Sequence, residues 1–210
     1  MTAARRERSA LVDTLRSVGP DAPTLCAGWK TRDLAAHLVV RERRLDATPG
    51  ITLPFLAGYT AKVQDQMARS TDWDDLVELV AAGPPIYSPF RLLDPVANLG
   101  EMFIHHEDVR RAAGPGGGWQ PRVLDDAVAA ALSRQLGLLS RIALGKQPAQ
   151  LTLQTTDGRR IARVGRGEPV TVIGEPQELV LFVAGRDAVR VEFDGDPQAI
   201  AAVRESKRGL

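Results

Sequence analysis

From the N-terminus to about residue 146, apolar residues recur at helical spacing, and clusters of Gly or Pro cut the run into segments. The spacing predicts a first helix over 3–18, with Leu11, Leu15 and Val18 on one stripe and a stop at Gly19-Pro20. A second starts with Thr31 as N-cap and Asp33 in the first turn, where a negative charge suits the helix dipole, and runs to about Asp46. Phe55, Tyr59, Val63 and Met67 recur every fourth residue and mark a third helix over 55–68. A short fourth follows the cap candidates Ser70 and Thr71, carries Trp73, Leu76, Val77 and Val80, and ends at Gly83. Asp94 caps a fifth with Pro95 in the first position, where a missing N–H costs nothing, and Gly114 ends it. Beyond a Gly-rich link at 114–118, a long helix over 122–144 draws core residues from Leu124, Val128, Leu132, Leu138 and Ile142.

After Gly145 the period changes to two. The segments LTLQTT and RRIARV flank Asp157-Gly158, a dipeptide suited to positive φ, and so predict a β-hairpin. PVTVI gives a third strand, 175–185 an apolar helix, AVRVEF a fourth strand and PQAIAAVRES a closing helix. The chain is therefore expected to divide into a helical half, 1–147, and a small α+β unit, 148–210, which is too short to be robust alone and should pack on the first.

The 210 residues carry 27 Lys plus Arg against 26 Asp plus Glu, and that balance argues against a nucleic-acid partner, which requires a clear excess of clustered positive charge. No apolar stretch is long enough to span a bilayer, and charges interrupt the N-terminal segment where a signal peptide would need an apolar core. The single Cys26 cannot form an intramolecular disulfide, which fits a reducing, cytoplasmic location. With only three His residues, at 37, 105 and 106, their placement carries most of the chemical information.

Asn98, Glu101, His105 and Asp108 fall within about 80° of arc on the fifth helix and form one polar stripe. Glu101 and His105, four apart, can present an oxygen and an imidazole nitrogen to one point, the geometry that serves i,i+4 ligand pairs in zinc enzymes. His37 keeps register with Leu34, Leu38 and Leu45 on the buried side of the second helix, and Arg41 shares that side. Two readings fit this pattern. If the helices are neighbours, His37, Glu101 and His105 meet around a cation and leave a position for water or substrate. Otherwise His37 is a hydrogen-bonded core residue and the Glu-His pair a solvated face. His106 points about 100° away from His105 and reads as a partner for carboxylates or a rim residue, Asp108 as either a hydrogen-bond acceptor for His105 or a surface charge. Cys26 reads as a small buried hydrophobe first and a ligand or redox thiol second, and the run 41–44, Arg41 apart, as a largely solvated face.

The segments TLCAGWKTRDLAAHLVVRERR (24–44) and NLGEMFIHHEDVRRAAG (98–114) resemble the DinB-like metal-binding bundles, in particular the actinobacterial branch similar to mycothiol-dependent maleylpyruvate isomerase. The C-terminal stretch from VTVIGEP onward resembles the sterol-carrier-like domain that follows the bundle in that branch. The resemblance implies an up-and-down helical bundle over 1–147 with a small α+β domain behind it. It implies that His37, Glu101 and His105 hold a divalent metal, zinc first and nickel or another divalent ion next. It implies as well a low-molecular-weight thiol, mycothiol or one like it, used in an isomerase or S-transferase reaction on a small-molecule substrate. Arg186 is the nearest counterpart of the branch's C-terminal catalytic arginine, and Arg41 is assigned to cofactor contact. The expected assembly is a monomer or homodimer. The competing expectation is a non-catalytic metal-binding protein with a structural or sensing role.

Overall fold

The computed structural model describes residues 2–51, 53–92, 94–112 and 118–209, without the side chains of 92 and 94–97. It divides into two compact units, 1–119 and 120–210. The division falls earlier than the expected 147/148, because the helix after the Gly-rich link packs within the second unit.

In the first unit, α1 (Ala3–Val18), α2 (Thr31–Arg43), α3 (Ala57–Ser70), α4 (Trp73–Ala82), a single turn α5 (Pro89–Leu92) and α6 (Asp94–Arg110) follow in order. α1 lies along α6 and α4, and α2 along α3 and α4. Leu11, Leu15, Leu34, Leu38, Leu76, Val80 and Met102 are closed from solvent and form the shared core. A buried ion pair crosses it: the Arg8 guanidinium of α1 meets the Glu42 carboxylate of α2 and donates to Val80 O at 2.9 Å.

Several local expectations shift. Val18 and Leu45 are exposed, α2 ends at Arg43, and its N-cap is Lys30, whose N–H donates to the Asp33 carboxylate at 2.9 Å. Thr31 instead donates its hydroxyl to Gly19 O. In α3 the buried face is Thr60, Val63, Gln64 and Ala68, while Phe55 and Tyr59 stand in solvent. Asp72 caps α4 in place of Ser70 or Thr71. The run 41–44 is not a solvated face. Arg41 and Glu42 are buried, and Arg43 donates to the carbonyls of Leu79 and Gly83. The expected end of α6 at Gly114 and the side chains of Asp94 and Pro95 lie outside the described residues.

The second unit begins with α7 (Asp126–Ala143), capped by Asp125 through Val128 N. It buries Val128, Leu132 and Leu136 against α8 and β2, whereas Leu138 and Ile142, expected in the core, are exposed. Strands β1 (Gln150–Gln154), β2 (Arg160–Val164), β3 (Pro169–Ile173) and β4 (Glu192–Gly195) form one mixed sheet in the order β2-β1-β3-β4, with only β1 and β3 parallel. The hairpin turn forms as expected, with Gly158 at φ +85° and its N–H donated to Thr155 O. Leu151 and Leu153 pair in register with Val170 and Val172, which puts four buried aliphatic side chains at the centre of the sheet. α8 (Pro176–Val183) and α9 (Pro197–Glu205) complete the unit. β4 starts four residues later than AVRVEF would have it, because Arg190 N–H is donated to the Glu178 carboxylate at 2.7 Å and is lost to the ladder. Among the described residues, no helix is long and apolar enough to cross a membrane.

Candidate metal centre

The first unit brings His37 of α2 and Glu101 and His105 of α6 together, with one donor atom from each within 4.8 Å of the others. Helical register accounts for this. The buried faces of α2 and α6 both feed one core, and a His on each reaches the same point. Both imidazoles are nearly closed from solvent, and the Glu101 side chain is a quarter exposed, which leaves one side of the cluster open.

Hydrogen bonding on the far side of each ring fixes which nitrogen faces the cluster. His37 Nδ1 donates to Gln64 Oε1 at 3.2 Å, and His105 Nδ1 donates to Asp108 Oδ2 at 2.9 Å. With Nδ1–H committed, a neutral ring has only a lone pair at Nε2. Those Nε2 atoms stand 3.4 Å and 3.3 Å from the same Glu101 oxygen. Two acceptors held at this separation need a positive charge between them. The distances exceed the usual 2.7–3.2 Å of an N–H···O bond, yet match the edge of a tetrahedron, about 3.3 Å, around a cation bonded at about 2.0–2.1 Å. The donor set therefore fits a divalent ion such as zinc.

The titration behaviour agrees. Burial opposes a charged carboxylate at Glu101, but the protonated His105 ring beside it, with the charge of Arg41, holds its pKa well below 4.5. Burial likewise opposes a charged His105, and hydrogen bonds to Asp108, Cys26 and Glu101 raise its pKa well above 6.5. His105 thus keeps a proton facing Glu101 when no metal is bound.

Around it, Arg41 Nη1 donates to Asn98 Oδ1 at 2.8 Å, its Nε is 3.4 Å from the same Glu101 oxygen, and its guanidinium lies 4.3 Å over the Phe90 ring. Trp29 closes on His37 with ring centroids 5.1 Å apart. Cys26 is half-buried and donates its thiol to Asp108 Oδ2 at 3.2 Å, so the expectation of an inert hydrophobe gives way to a polar contact beside the centre. Asp108 is fully buried and its backbone carbonyl accepts Leu25 N–H, which ties the Cys26 loop to α6. His106 turns away, as its phase requires, to Glu7 and Thr14 of α1 at 2.8 Å each. Arg186 belongs to the second unit, where its guanidinium donates to Ala184 O at 2.6 Å.

Sequence reasoning missed Gln64 and left Trp29 without a role. The one available signal for Gln64 was its place beside Val63 and four after Thr60, a polar residue in the phase of a buried face.

Comparison with known proteins bears on the fold. Residues 1–94 match the model of the mycothiol maleylpyruvate isomerase N-terminal domain. No curated protein sequence matches the chain. Two solved structures are similar over 92% of this chain and 91% of theirs, each at 16% identity. One is a mycothiol-dependent maleylpyruvate isomerase carrying a histidine-to-alanine substitution, with TM-score 0.62. The other is the mycothiol-dependent maleylpyruvate isomerase, with TM-score 0.58. Residues 1–94 thus match the mycothiol maleylpyruvate isomerase N-terminal domain, and the chain shares the fold of the mycothiol-dependent isomerases that it resembles.

Proposed function

We propose that His37, Glu101 and His105 hold one divalent cation, zinc in the first instance, and that the protein is a cytoplasmic, thiol-using isomerase or S-transferase of the maleylpyruvate isomerase type acting on a small molecule. The observation that carries the reading is the pair of imidazole Nε2 atoms facing one carboxylate oxygen, each ring locked from behind by Gln64 or Asp108. Three protein donors leave a further position, as catalytic sites do and closed structural sites do not. The C-terminal unit is assigned to the sterol-carrier-like module that the resemblance names.

A bound cation would supply stabilisation of a thiolate at neutral pH. The rest falls to the chain. Gln64 and Asp108 keep the Nε2 lone pairs directed inward, which removes reorganisation from the step that binds a ligand. Trp29 shields His37 from water on one side. Arg41, held by Asn98 and Phe90, sets a fixed positive charge beside Glu101, where it can steady an anionic group of thiol or substrate. Arg186 is assigned, on the resemblance, to the carboxylate or enolate of the substrate.

The test is elemental analysis of the purified protein together with turnover of maleylpyruvate in the presence of mycothiol. About one divalent ion per chain and chelator-sensitive turnover are expected. Arg186→Ala should lose turnover and keep its metal. Metal without turnover under any thiol would move the protein to the non-catalytic class.

A further inference from the structure

A second site stands apart from the metal centre. A groove of about 450 Å³ opens between α1 and the turn that follows α4; Arg5, Arg8 and Arg16 from one face of α1 and Arg91 from α5 line it, with Asp13 as its one carboxylate among the described residues. Val12, Ala81 and Pro84 give it an apolar floor. In a chain whose charges otherwise balance, four guanidiniums around one groove are a local excess.

The four are not equivalent. Arg8 is buried, neutralised by Glu42 and tied to Val80 O, and Arg16 meets Glu78 and lies 3.8 Å from Asp13. These two form a fixed frame. Arg5 and Arg91 are exposed, and among the described residues neither guanidinium meets a carboxylate; Arg91 reaches only Pro84 O, at 3.4 Å. Arg5 also stands in the first turn of a 16-residue helix that has no acidic residue there, so its charge sits against the positive end of the helix dipole. An anion in the groove would relieve that arrangement. The wall opposite α1 is backbone: a Cβ on Gly83, at φ +67°, would come 3.3 Å from Arg8 Nε, so the guanidinium lies flat against the turn.

We propose that this groove binds a small phosphorylated organic molecule, its phosphate held between Arg5 and Arg91 and its carbon skeleton on the Val12, Ala81 and Pro84 floor. Two unneutralised guanidiniums match the dianionic charge of a phosphate monoester, and their paired N–H donors match its oxygens. The volume is within the range of small-molecule sites. The site is independent of the metal centre and of the activity proposed for it.

Calorimetric titration of the full chain with phenyl phosphate, inorganic phosphate and acetate tests this. Phenyl phosphate should bind one per chain, more tightly than inorganic phosphate, with acetate at least tenfold weaker. Chelator-treated protein should bind it equally well. The double variant Arg5→Gln, Arg91→Gln should lose at least tenfold in affinity without lowering the unfolding midpoint, since among the described residues neither guanidinium meets a carboxylate. Absence of binding at millimolar phenyl phosphate overturns the proposal, as does unchanged affinity in the double variant. Loss of binding on chelation would place the phosphate on the metal and overturn it too. Equal affinity for acetate or for inorganic phosphate would remove the phosphorylated organic molecule as the ligand.

Discussion

Replacing Asp108 by Asn removes one charge at the rear of the centre and changes little in shape. Asp108 is fully buried, and its Oδ2 accepts both His105 Nδ1–H at 2.9 Å and the Cys26 thiol at 3.2 Å. An Asn oxygen can still accept from His105, but as a neutral dipole it no longer raises the basicity of the ring. Loss of such a partner behind a metal-bound His lowers affinity by about 10–100-fold, or about 1.4–2.7 kcal/mol. Exchange of a charge-assisted bond for a neutral one costs the metal-free fold about 1 kcal/mol. The two effects separate by assay. Competition with a chromophoric chelator reads the metal affinity, and denaturant unfolding of the stripped protein reads the fold. If affinity changes less than twofold while the fold is intact, Asp108 does not orient His105 and the account of the locked rings fails.

Three further outcomes are expected. His106→Ala should keep the metal, because that ring faces α1, and should cost about 1–3 kcal/mol in stability through the buried Glu7 carboxylate it deserts. In metal-free protein, Glu101 has a pKa held below 4.5 and His105 one raised above 6.5, so their stabilising contribution is complete only between about pH 4.5 and 6.5. It is lost as pH falls through the folded Glu101 value and as pH rises through the folded His105 value, which urea unfolding across pH would show as a plateau with two declining flanks. Metal affinity should run the other way and climb with pH above neutrality, since the cation must displace the His105 proton; a flat affinity between pH 6 and 8 would contradict it.

The parts legible in the sequence are those set by local period and end chemistry. The stripe of Asn98, Glu101, His105 and Asp108 follows from 100° per residue alone, and the structure buries Asn98, His105 and Asp108 on one side. The Asp157-Gly158 turn follows from the need for positive φ. What failed depended on partners. A strict spacing of four drifts about 40° per step, so Phe55, Tyr59, Val63 and Met67 slide off any one face, and only packing on α2 selects Val63 and Gln64. Glu42 looks like a surface residue until Arg8 arrives from a distant segment to neutralise it, whereas Arg41, placed with His37 by register, meets Asn98 and Glu101 on the buried side. No helical pattern says which unit a helix joins, and so α7 was expected in the first and is found in the second.

Cobalt substitution followed by addition of a thiol tests the central claim most directly. The cobalt form should show visible absorption, and mycothiol at millimolar concentration should add a sulfur-to-metal charge-transfer band that His37→Ala lacks. A cobalt spectrum unmoved by thiol, or a band of equal strength in the His37 variant, would contradict an open thiol-binding centre on His37, Glu101 and His105.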